Sequence, residues 1–171
     1  MNTETPNPEL DRLIGEIAIQ RRHGVLREFA CWCARQMGPI SGDNARLVAA
    51  AERCARGEIS VEQLCAGNDS LGGSLAAACL IGVHKCHDPA AAVRLVCGAT
   101  NNAKTYYAAT EAAKWMRAWV LLYSRRAGVP MVDEEQRLEE FARLQLTALK
   151  LIASRPDHVG PLTEGSNEDG R

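Results

Sequence analysis

At 171 residues the chain is long enough for one domain with a sizeable core. Its 46 % hydrophobic and 24 % charged residues are ordinary for a soluble globular protein. A net charge of −1 gives no general attraction to nucleic acid or anionic lipid, and the longest uncharged apolar run, Leu71 to Val83, is too short to span a bilayer.

The opening MNTETPNPE is polar and acidic and carries no apolar core segment, so a signal peptide is not expected and the cytoplasm is the expected location. Residues 1–8, with two prolines and no periodicity, are expected to be disordered. Leu10, Leu13, Ile14 and Ile17 then mark a first helix that ends in the basic cluster Arg21-Arg22-His23 and Gly24. Between Val25 and Ile59 the pattern predicts two antiparallel helices. The first turns Leu26, Phe29, Ala30, Cys33 and Met37 inward, with Trp32 widening the face, and Arg27, Glu28, Cys31 and Arg35 to the other side. Gly38-Pro39 ends it. Asp43 is the expected N-cap of the second, whose inward row is Leu47, Ala50, Ala51 and Cys54, and Gly57 is its left-handed stop.

Ser60 and Gln63 form a capping box for a short helix carrying Val61, Leu64 and Cys65, followed by a turn at Gly67 to Ser70. Leu71 to Val83 is apolar on every side, which predicts a central helix sheathed by its neighbours. Asp88-Pro89 restarts the chain for a helix with Val93, Val96 and Cys97. From Thr100 or Asn101 a long helix runs to about Ala127. One of its rows is Ala108, Ala112, Trp115, Trp119 and Leu122. An adjacent row is Tyr106, Ala109, Ala113, Met116, Val120 and Tyr123, while Lys104, Glu111 and Lys114 mark the wet side. After the Gly128-Val129-Pro130 turn, Asp133 and Gln136 open a last helix with Leu138, Phe141, Leu144, Ala148, Leu149, Leu151 and Ile152 facing in. Residues 156–171, rich in Gly, Pro, Ser and acids, read as a disordered tail. The expected fold is all-α: a single-domain bundle over residues 9–155, of about seven helices around a central apolar one.

Seven cysteines, an odd number without an export signal, read mainly as reduced, apolar core residues. Cys31 and Cys33 point about 200° apart on a helix and cannot share an ion there. The one thiol–imidazole cluster with metal-site chemistry is Cys79, His84, Cys86 and His87, which lacks an accompanying C-x-x-C pair. Cys86 beside His84 or His87 is also the only candidate nucleophile, and no third member or oxyanion hole is legible near it. No phosphate loop, H-E-x-x-H or nucleophile elbow occurs. Neither an enzyme nor a cofactor is expected. Arg53 with Arg56 and Arg125-Arg126 are small basic spots without an aromatic platform, so nucleic acid is not an expected partner. Tyr106-Tyr107 and Trp115/Trp119 are either binding anchors or core; the scarcity of aromatics favours core.

Four motifs carry a resemblance. Ala30-Cys31-Trp32-Cys33-Ala34-Arg35, Ala49-Ala50-Ala51-Glu52-Arg53, Arg56-Gly57-Glu58-Ile59 and Tyr106-Tyr107-Ala108-Ala109 resemble a bacterial all-helical family of immunity proteins. Leu26 to Cys31 resembles the opening of a related planctomycete-type helical domain of unknown function. The likeness covers residues 10–153. It departs from the family at Thr100, Asn101 and Ala103, where family members usually carry histidines. The resemblance implies a protein that neutralises a toxin or defence component by binding it. The interface expected from the charged faces is Glu28, Cys31, Arg35, Lys104, Glu111 and Lys114. The rival expectation is a metal-binding or small-ligand-binding helical protein.

Overall fold

In the computed structural model the described residues are 7–36, 42–70, 102–126 and 131–156. They form six helices: α1 (Pro8–Ile19), α2 (His23–Gln36), α3 (Gly42–Ala55), α4 (Val61–Ser70), α5 (Asn102–Arg126) and α6 (Met131–Ala153). There is no strand among the described residues, and the fold is all-α. The expected central helix at 71–83 and the one after Asp88-Pro89 lie outside the described residues.

The helix ends follow local chemistry. Asn7 caps α1, its side-chain oxygen accepting from the Leu10 N–H at 3.2 Å, with Pro8 just inside the first turn. Asn7 and Pro8, expected within a disordered stretch, are therefore part of the helix start. Asn7 also donates its side-chain amide to the Ala142 carbonyl at 3.3 Å, which ties the start of α1 to α6. At the start of α4 the expected capping box forms: Ser60 N–H donates to Gln63 Oε1 at 2.8 Å, and Gln63 N–H to Ser60 Oγ at 3.2 Å. The turn expected at Gly67 to Ser70 is instead the last turn of α4.

Two helices end in the same hydrogen-bonded motif. After α3, Gly57 N–H donates to Cys54 O at 3.1 Å and Glu58 N–H to Arg53 O at 2.9 Å, with Gly57 at φ +74° as expected. After α1, Arg21 N–H donates to Ala18 O at 2.9 Å and Arg22 N–H to Ile17 O at 3.1 Å, with Arg21 at φ +57°. An arginine there crowds its Cβ against the backbone, a strain glycine avoids. Arg21→Gly is therefore expected to raise stability by about 0.5–1 kcal/mol. The check is a higher urea midpoint at unchanged slope. The basic cluster is also split differently from expectation, because His23 and Gly24 begin α2 and do not end α1.

Helix α2 is the hub of the described residues. It packs against α1, α3, α5 and α6, and most extensively against α5. The reason lies in α5, whose buried face is Ala108, Ala109, Ala112 and Ala113 followed by Met116 and Val120. Four alanines let the two backbones approach closely, so the larger side chains of α2 fill the seam. Leu26 and Phe29 meet Leu10, Ile14 and Ile17 of α1, Leu47, Val48 and Ala51 of α3, and Leu149 and Ile152 of α6 in one continuous core. Each such aliphatic or aromatic side chain contributes about 1.5–3 kcal/mol by leaving water.

The last helix departs from its expected register. Leu144 and Leu151, expected inside, are exposed, and Gln145 is fully buried in their place. Ala148, Leu149 and Ile152 fix the inward stripe, and Gln145, three to four residues earlier, falls on it. Its amide nitrogen donates to the Ala113 carbonyl at 3.0 Å and lies 3.4 Å from Met116 Sδ, which fastens α6 to α5. Gln145 Oε1 has no hydrogen-bond partner among the described residues.

Candidate interaction surface

Two of the six residues expected at an interface are buried when the helices assemble. Cys31 is 1 % exposed and Glu28 9 %, so neither offers a contact surface. The expectation for these two is overturned because α2 is enclosed by four helices and has no wet side between Val25 and Ala34, apart from the part-exposed Trp32. Glu28 is instead paired with Arg155, which follows α6. Arg35, beyond the enclosed part, is exposed and grips Glu52 of α3 through two bonds of 2.5 and 2.8 Å. That fork, more than burial opposes it, holds the guanidinium more firmly protonated than usual. Glu111 and Lys114 are paired at 3.1 Å on the outer side of α5. The side chain of Lys104 lies outside the described residues. Arg35 and the Glu111–Lys114 pair thus belong to separate ion pairs.

The tyrosines of α5, expected in the core, lie at the surface. Tyr106 is 45 % exposed and Tyr107 55 %, so they are surface groups and not core pieces. The signal was available: Tyr107 precedes Glu111 by four residues and Lys114 by seven, which sets it on the same outer stripe. The side chains of Trp115 and Trp119 lie outside the described residues. Thr105, next to the tyrosines, is fully buried, and its hydroxyl lies 3.0 Å from His23 Nδ1 at the start of α2. This contact anchors the first turns of α2 and α5 to each other, so the tyrosine pair stands on a fixed base.

His23 sits half-buried at that junction. Burial first, then the Arg27 and Arg21 charges, holds its pKa below the usual 6.5. The unfolded chain consequently takes up the proton at higher pH than the folded one. The stability this neutral imidazole contributes is complete above about pH 6.5 and is lost as pH falls through the lower folded value. His23→Gln is expected to flatten the fall in urea midpoint between about pH 7 and pH 5. Equal slopes for parent and variant would contradict it.

Reactive groups are withdrawn from this surface. Cys31, Cys33 and Cys54 are reduced and buried, and burial pushes the Cys33 thiol far above its ordinary range, which suppresses the nucleophilic thiolate. The thiol–imidazole cluster Cys79, His84, Cys86 and His87 lies outside the described residues. Among the described residues, no group of three or more His, Cys, Asp or Glu side chains is placed to hold a metal ion. No described helix is long and apolar enough to cross a membrane. One open cleft of about 390 Å³ runs between the start of α1, α5 and α6, with Pro8, Leu138, Ala142 and Leu146 on its apolar walls and Arg117 and Glu135 among its polar ones.

No family model, curated protein or solved structure matches the chain.

Proposed function

We propose that this chain is a non-catalytic binding module that neutralises another protein, a toxin or a defence component, by direct contact in the manner of an immunity protein or antitoxin. The observation that carries the reading is the exposed pair Tyr106 and Tyr107 on a helix whose opposite face is locked into the core. Tyrosine offers a large, stiff contact area with a polar tip, and such side chains dominate interface energetics. Because α5 is already fixed by its alanine seam with α2 and by the Thr105–His23 contact, little ordering cost falls on binding. Glu111 and Lys114 supply a charged rim beside the tyrosines. The motif resemblance at Ala30 to Arg35 and Tyr106 to Ala109 supports the class of partner.

The test is to cross-link and identify what the chain holds in its source cell, then to measure that partner's affinity for Tyr106→Ala/Tyr107→Ala. Both residues are exposed, so the double variant is expected to fold as the parent does and to bind at least about tenfold more weakly. A folded double variant with unchanged affinity would remove the reading.

A second reading, a small-ligand-binding protein, is favoured by one observation, the cleft beside Asn7 and Arg117. Native mass spectrometry of gently purified protein tests it. A bound small molecule lost on Ala142→Trp supports that reading, and a bare polypeptide mass with unchanged stability in cell extract opposes it.

A further inference from the structure

The leucines that α6 turns outward define a surface with its own symmetry. Glu140, Leu144, Thr147 and Leu151 recur every third or fourth residue and fall within about 60° on the helix wheel. All four are exposed, Leu144 by 45 % and Leu151 by 61 %. Arg155 continues the line in the turn that closes α6. Leu144 and Leu151 lie at equal distances on either side of Thr147–Ala148, and so do Glu140 and Arg155.

We propose that this stripe is a contact between two copies of the chain, with their α6 helices paired antiparallel about a two-fold axis at Thr147–Ala148. Leu144 of each copy then covers the partner's Leu151, and Glu140 meets the partner's Arg155, each contact occurring twice as an isologous interface requires. Leucines seven residues apart are the spacing of a helix–helix seam, and only the short side chain of Thr147 stands between them on the exposed face. The charges choose the direction. An antiparallel pair sets acid against base at both ends, whereas a parallel one would set Glu140 against Glu140 and Arg155 against Arg155. Glu140 has no ion-pair partner among the described residues. The Arg155 side chain, though it holds Glu28, remains 49 % exposed, and a guanidinium has donors for a second carboxylate. Equal offsets about one point are what a second copy of the same helix matches and an unrelated helix has no reason to match. One helix per copy makes a small contact, so the dimer is weak and concentration-dependent.

Sedimentation equilibrium of the full chain from about 1 µM to about 500 µM tests the proposal. The weight-average mass is expected to rise from the 18.6 kDa monomer toward twice that value. Leu144→Glu/Leu151→Glu, at exposed positions, is expected to keep its thermal melt and stay monomeric throughout. Register is tested by oxidising a mixture of Leu144→Cys and Leu151→Cys chains, which should join to each other at least tenfold faster than either joins to itself. A parent that stays monomeric at the highest concentration overturns the proposal. So does a dimer that survives the double glutamate variant, or one that cross-links like position to like. A monomer whose double glutamate variant loses a different protein would reassign the stripe to that protein.

Discussion

Phe29→Ala is expected to lower the unfolding free energy by about 3–5 kcal/mol. Phe29 is the largest fully buried side chain among the described residues, and it stacks on Trp32 with ring centroids 6.1 Å apart and planes 12° from parallel. Removing the ring forfeits its transfer from water and the contacts of the stack, and leaves a void in the middle of the hub helix. The walls of that void belong to helices held from several sides, so they have little freedom to close over it. For a domain stable by about 5–15 kcal/mol, the loss is a large fraction of the whole. Urea unfolding followed by circular dichroism measures it. A cost below about 1 kcal/mol would place Phe29 at a site that can collapse or drain, contrary to an enclosed α2.

Ala109→Leu should cost about 2–3 kcal/mol through the opposite fault, overpacking. Ala109 is fully buried in the alanine face that α5 presents to the core. Three added carbons there must push α5 away from α2, and every neighbouring contact along the seam loosens with it. Ala118 on the same helix is exposed, so Ala118→Leu is expected to change stability by less than about 0.5 kcal/mol. The comparison separates packing from helix propensity, since both variants exchange alanine for leucine in one helix. Equal effects at the two positions would contradict a close α2–α5 seam.

The parts of this fold that were legible in the sequence are those written in local patterns. The Ser60–Gln63 capping box and the left-handed Gly57 each follow from a few neighbouring residues and are found as read. Of the two rows read on α5, the residues Ala108, Ala109, Ala112, Ala113, Met116 and Val120 are buried while Tyr106 is exposed. Distant pairings were hidden. Glu28 reads as a surface acid because its partner Arg155 lies 127 residues away, and no hydropathy pattern reveals a pairing across that span. Gln145 reads as polar surface until Ala113 supplies its acceptor from another helix. The first case bears on the expected interface: α2 carries Arg27 and Glu28 and so reads as amphipathic, yet both are buried. The tyrosine pair failed for a different reason. The hydrophobic character of tyrosine points inward, whereas the spacing to Glu111 and Lys114 sets Tyr107 outside. Arg21 defied expectation because a left-handed arginine is uncommon, and only the two backbone bonds closing α1 show why it is held there.

The burial of α2 also bears on the proposed function. A binding surface is pre-organised only if the helix that carries it cannot move independently, and α5 draws its rigidity from α2. Loosening the seam at Ala109 should therefore weaken partner binding even though the tyrosines are untouched.

Native-state hydrogen exchange read residue by residue tests the role of α2 most directly. The amides from Phe29 to Ala34, enclosed by α1, α3, α5 and α6, are predicted to exchange only through global unfolding, with opening free energies equal to that from urea. Helix α4 packs chiefly on α3 and is predicted to open earlier. If the α2 amides exchange as fast as those of α4, α2 is not the hub of the described residues.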